Sequence, residues 1–201
     1  MPDYKGLHLA CFDRPLEGWL NTDISPHIYI ARIPGAAELV FRAGKMTKQR
    51  REQHRLGIFS TVQYLDVTKH FPYPGNSFAA VFSSHMLEHL SPEQGKFCLA
   101  ECYRVLRSGG VCRTSVPDLD KIVAAYSPQN ANEWLTKVYF DGDSRAKNRH
   151  HWYYNSISLV QLLHAIGFRE AYQCEYQQGR CPDINHLDNR PSESLFVEAV
   201  K

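Results

Sequence analysis

The order of the short apolar runs constrains this chain most. Leu7–Cys11 (LHLAC), Gly18–Ile24 (GWLNTDI), Thr61–Val67 (TVQYLDV), Ser77–Ser84 (SFAAVFSS) and Val111–Val116 (VCRTSV) are bounded by polar or turn residues. Such runs read as strands buried on both faces. Pro74-Gly75-Asn76 introduces the fourth and Pro117 closes the fifth. Between these two, Ser91 as N-cap, Pro92 at the first helical position and Gln94 predict a helix start. Cys98, Leu99, Cys102, Val105 and Leu106 give that helix one apolar face; Arg104 and Arg107 suit its negative end, and Gly109-Gly110 predicts its stop. A later helix is predicted over Ser156–Ile166, with Leu159, Val160, Leu163 and Ile166 as its stripe and Gly167 as its cap. Strand–helix–strand alternation predicts an α/β fold with a mostly parallel sheet. Glu170–Tyr176 and Ser194–Val200 follow with no helix between them, so they lie antiparallel or widely separated.

The chain has 201 residues, which fits one domain spanning 1–201. Charged residues at 22% and apolar residues at 43% exclude a disordered chain, and a net charge of +2 is too mild to argue for a nucleic-acid partner. MPDYKGLHLACF lacks a basic start followed by a long apolar run, and no stretch reaches the roughly 20 apolar residues of a membrane helix. The six cysteines form no CxxC pair and read as buried free thiols, so the expectation is a cytoplasmic protein with no membrane association. Two segments break the rhythm. Residues 31–60 form an insertion with a basic run (Lys45, Lys48, Arg50, Arg51, Arg55), either a solvated face or a groove for a phosphate. Residues 177–192 form a long loop.

Ligands of an open parallel sheet bind beyond the C-terminal ends of its strands. There this sequence places Asp13, Asp23 and Asp66, then Ser84-His85, then Asp118. Carboxylates in such positions accept hydrogen bonds from ribose hydroxyls or an exocyclic amine; each alone also serves as a helix N-cap.

From Tyr64 to Val123 the chain reads LDVTKHFPYPGNSFAAVFSSHMLEHLSPEQGKFCLAECYRVLRSGGVCRTSVPDLDKIV, and later HHWYYNSISLVQLLHAIGF and SLFVEAV. In order and spacing these stretches resemble class I S-adenosylmethionine (SAM)-dependent methyltransferases of the small type-11 group. The resemblance implies a Rossmann-like three-layer sandwich with a mostly parallel seven-stranded sheet whose last strand is antiparallel. It implies SAM as cofactor, with Asp23 on the ribose, Asp66 and Val67 on the adenine, and Ala10, Cys11, Phe12 and Ser84 along the methionine end. His85, and after it Asp118, would face the transferring methyl as base. The sequence departs from the family where Ala10 and Phe12 replace loop glycines and Ala79 replaces an Asp.

His85-Met86-Leu87-Glu88-His89 also fits HxxEH, a zinc-protease spacing. Ser91-Pro92 starts a new helix two residues later and no third ligand follows at helical spacing, so no metal is expected. His150, Trp152 and Tyr153 read either as an anchor for the following helix or, with Arg180, as the wall of an acceptor site. The expected function is methyl transfer to a small-molecule acceptor of sugar or secondary-metabolite type. The departures in the first loop admit an alternative, a methyltransferase-like binding partner that has lost the reaction. Oligomeric state is not readable from the sequence.

Overall fold

The computed structural model describes residues 4–140 and 149–201. Seven strands form one sheet: β1 (Gly6–Leu9), β2 (Trp19–Asp23), β3 (Gln63–Tyr64), β4 (Phe78–Ser84), β5 (Leu106–Pro117), β6 (Glu170–Cys174) and β7 (Ser194–Val200). Their spatial order is β3-β2-β1-β4-β5-β7-β6. β1 to β5 run parallel, while β7 is antiparallel to both β5 and β6, as the resemblance implies. The order reverses between β1 and β4, which puts the ligand crevice above those two strands.

One face carries the larger core. Leu7, Leu9, Leu20, Val81, Cys112, Leu195 and Val197 project from the strands against α4 (Pro92–Val105) and α7 (Ser156–Ile166), which supply Cys98, Leu99, Cys102, Leu159 and Leu163. Each fully buried Leu there contributes about 1.5–3 kcal/mol. Both helices begin with a capping box, Ser91 with Gln94 and Asn155 with Ser158.

The other face is covered differently. Trp19, Ala80, Phe82, Val111 and Val200 pack against Cys181 and Leu187, which lie in the long loop around the four-residue α8 (Ile184–Leu187). A buried charge network holds that loop down. Arg113 of β5 donates to Asp188, to Glu198 of β7 and to the carbonyls of Glu175 and Gln178. Glu198 in turn accepts from the backbone N–H groups of Arg180 and Cys181. Gly179 is required at the centre, because a Cβ there would meet Glu198 Oε1 at 2.2 Å.

Two elements depart from the sequence expectation. The helix expected to run on to Gly109 ends at Val105, because the carbonyls of Arg104 and Val105 accept from Asn76 and Ser77 in the turn before β4. Residues 106–110 then open β5, and Gly109 and Gly110 bond to Lys201. The third strand shrinks to two residues at the sheet edge. The insertion forms α2 (Ala36–Arg42) and α3 (Lys48–Arg55), preceded by α1 (His27–Ala31). Past β5 come α5 (Leu119–Ala124) and α6 (Ala131–Phe140).

Candidate active site

β1 and β2 are joined by residues 10–18 without a helix, so the loop after β1 turns back sharply. Ala10 (φ 50°) and Phe12 (φ 49°) adopt the left-handed conformation that favours glycine. The loop keeps a glycine-type backbone without the glycines. Ala10 packs against the main core. Phe12 is 45% exposed and its ring lies 4.4 Å from the Arg50 guanidinium of α3. Cys11 is buried with Ile28 and Val62, and burial pushes its thiol far up, so it is inert.

Asp23 ends β2 almost fully buried and accepts from the N–H groups of Phe12 (3.0 Å) and Ser25 (2.7 Å). Burial raises its pKa and these bonds oppose the rise. Asp13 accepts from Arg50 (3.2 Å) and Gln53 (2.8 Å), so the insertion docks on the loop after β1. In the rest of the basic run Arg51 pairs with Glu38 and Arg55 with Glu52, while Lys45 and Lys48 are exposed. Beyond β3, Asp66 accepts from the Thr68 hydroxyl and N–H and pairs with Lys69; the Thr68 hydroxyl bond comes first in holding its carboxyl below the usual range. Val67 packs on the main core.

Ser84 ends β4 and accepts from Ser115 Oγ (2.8 Å) and Asn189 Nδ2 (2.9 Å). His85 follows in the left-handed conformation (φ 49°), fixed by its own N–H to the Ser115 carbonyl (2.9 Å). Its Nε2 is hydrogen-bonded to Ser194 Oγ at 2.8 Å, and its Nδ1 lies 3.3 Å from Glu88 Oε1. A carboxylate–imidazole–hydroxyl line thus runs from Glu88 through His85 to the start of β7.

A cavity of about 230 Å³ opens beside His85, under α5, α6 and residues 190–193. Ile122, Ala125, Trp134 and Val138 form its apolar side, and Lys121, Lys137, Arg190 and Glu193 its charged rim. Trp134 is held by its Nε1–H to the Ile122 carbonyl (2.7 Å), and Lys121 by its Nζ to the Ser194 carbonyl (2.9 Å).

His85, His150 and Tyr153 all line this cavity. Three other candidates stand apart from it. Asp118 caps α5 by accepting from Asp120 N (3.0 Å). Trp152 is 46% exposed and outside the lining. Arg180 pairs with Glu170 (2.8 Å), whose register partner is Val200, opposite Val111. That is the end of the sheet away from the crevice, since Pro117 and Ser194 mark the other. Arg180 is drawn there because the loop is tethered to Glu198. Lys121, Trp134 and Ser194 were missed in the sequence. Only the amphipathic pattern of 119–138 could have flagged the first two.

The sheet order, the crevice above β1 and β4, and the rim of Asp23, Asp66 and His85 correspond to one fold. Residues 36–114 match the family model described as "Methyltransferase domain". The chain has the fold of class I methyltransferases. Among solved structures it is similar to a SAM-dependent methyltransferase of Thermotoga maritima, described as a possible histamine N-methyltransferase (14% identity, covering 100% of this chain and 84% of that one, TM-score 0.56). It is also similar to a SAM-dependent methyltransferase of Archaeoglobus fulgidus (17%, 100% and 89%, TM-score 0.53) and to PigF solved with SAH (14%, 97% and 50%, TM-score 0.51). No curated protein matches the sequence.

SAM is the cofactor of such methyltransferases, and the residues present fit it. The loop after β1 has the glycine-type φ values that let a backbone approach a ligand, and the Phe12 ring stacks on Arg50 in a partly exposed position. Asp23 accepts two hydrogen bonds of the roughly four that a carboxylate can take, so acceptor capacity remains. Among the described residues no helix is long and apolar enough to cross a membrane.

Proposed function

We propose that this methyltransferase methylates a small molecule seated in the 230 Å³ cavity, with His85 as the base that accepts its proton. The observation that carries the reading is His85 itself. It sits in a glycine-type conformation at the end of β4, borders the cavity, and is tied to Ser194 and faced by Glu88. SAM would be held by the backbone of Ala10, Cys11 and Phe12, by Asp23, by Asp66 and Val67, and along Ser84. Bound there, it supplies an electrophilic methyl group. What the protein adds is alignment of the acceptor and removal of its proton.

The cavity suits an acceptor with a ring face and an anionic or strongly polar tail. Trp134 and Ile122 offer the flat apolar side, and Lys121 and Lys137 the positive rim. A sugar or secondary-metabolite building block meets that description. Six free thiols agree with a reducing, cytoplasmic setting, and neither nucleic acid nor membrane is needed as a partner.

Isothermal titration with S-adenosylhomocysteine tests the cofactor half; absence of binding at millimolar ligand would overturn it. His85→Ala tests the other half. It should keep that affinity within a few-fold and lower turnover by roughly 10²–10⁴. Unchanged turnover would remove His85 from the chemistry.

A further inference from the structure

The fold brings together three side chains that sequence spacing separates. Glu88, His89 and His150 each place one potential ligand atom within 4.8 Å of the others. The cluster is built rather than incidental. The N–H groups of His151 (2.7 Å) and Trp152 (3.2 Å) donate to the Glu88 carbonyl, which ties the segment of His150 to the turn of Glu88 and His89.

The protonation pattern of the His89 ring is set from outside. The Arg149 carbonyl can only accept, so Nδ1 of His89 donates to it (3.1 Å), and the neutral ring has its lone pair on Nε2. An imidazole whose far N–H is tied to a carbonyl is the form that ligates metal. The His150 ring is held in place by the hydrogen bond between its Nδ1 and the Tyr153 hydroxyl (2.6 Å).

Glu88 supplies an independent observation. It is 1% exposed, and neither carboxylate oxygen accepts a hydrogen bond among the described residues. His85 Nδ1 lies 3.3 Å from Oε1 without making a hydrogen bond, and a buried carboxylate so weakly partnered is stabilised by a cation.

We propose that Glu88, His89 and His150 bind one divalent transition metal of the zinc type. Two imidazoles and a carboxylate suit zinc better than magnesium or calcium, and three protein ligands leave a fourth position open. His150 also lines the acceptor cavity, so the site adjoins it. The site stands whether or not the chain transfers methyl groups.

The test uses the full chain, stripped with EDTA and titrated with Co²⁺ and then Zn²⁺. One equivalent of Co²⁺ should give visible d–d absorption without the near-ultraviolet thiolate band that cysteine ligation would add. His89→Ala and His150→Ala, both half-buried positions, should each weaken Zn²⁺ by at least about tenfold. His186→Ala, an exposed histidine elsewhere, should leave binding unchanged. Circular dichroism confirms that each variant is folded. Absence of stoichiometric binding by the unaltered chain overturns the site, as does binding that survives the His89→Ala/His150→Ala double variant.

Discussion

Arg113 and Asp188 meet across 75 residues of chain in a two-pronged ion pair, with Nε to Oδ1 at 2.9 Å and the second prong at 2.5 Å, both side chains fully buried. All five guanidinium donors are used once Glu198 and the Glu175 and Gln178 carbonyls are counted. Arg113→Met should therefore cost about 3–5 kcal/mol, because it strands two buried carboxylates. Urea denaturation measures this. Adding Glu198→Gln to that variant should recover part of the loss. A cost under about 1 kcal/mol for Arg113→Met would mean that the loop is held by its apolar contacts alone.

His8 gives the fold an acid sensitivity with a definite sign. It is buried beside Asn21, and burial lowers its pKa from 6.5 to about 4, with the Asn21 hydrogen bond opposing. Between those values the unfolded chain binds a proton that the folded chain does not, so stability rises with pH there. The contribution is complete above pH 6.5 and is lost as pH falls to about 4, by roughly 3 kcal/mol. Melting curves across that window should show the slope, and His8→Gln should flatten it. Parallel slopes in the two proteins would assign the sensitivity to other groups.

Ala10 holds a conformation that costs an L-residue roughly 1–2 kcal/mol. Ala10→Gly should then leave stability unchanged or raise it by up to about 1 kcal/mol, with S-adenosylhomocysteine bound at least as tightly. Calorimetric melting and titration read the two effects separately. A clear loss of stability would show that the methyl packed on the core outweighs the strain.

Arg50 and Arg55 sit in one helix with different duties. Arg50 joins Asp13 to the rings of Phe12 and Phe59 in a partly buried setting, whereas Arg55 pairs with Glu52 in solvent. Arg50→Gln should cost about 1–2 kcal/mol and weaken S-adenosylhomocysteine binding through the loop after β1, while Arg55→Gln should stay within about 0.5 kcal/mol. Equal effects from the two would remove any role of the insertion in holding that loop.

The antiparallel end of the sheet was implied by the family resemblance. The sequence by itself determined the alternation of strands and helices and the polar residues at or just past the strand ends, among them Asp23, Asp66 and His85. Those features are local: strand length, cap chemistry at Ser91 and the residue after each strand are written within a few positions of one another. Only the tertiary structure decided how long α4 is, because its last carbonyls are taken by Asn76 and Ser77 from a different turn. It alone decided that Arg180 leaves the site and that Lys121 and Trp134 enter it, since a buried guanidinium in β5 dictates where the long loop lies. It alone brought His150 to Glu88 and His89. Contacts between distant segments depend on which surfaces the folded sheet makes adjacent, and no spacing along the chain encodes that adjacency.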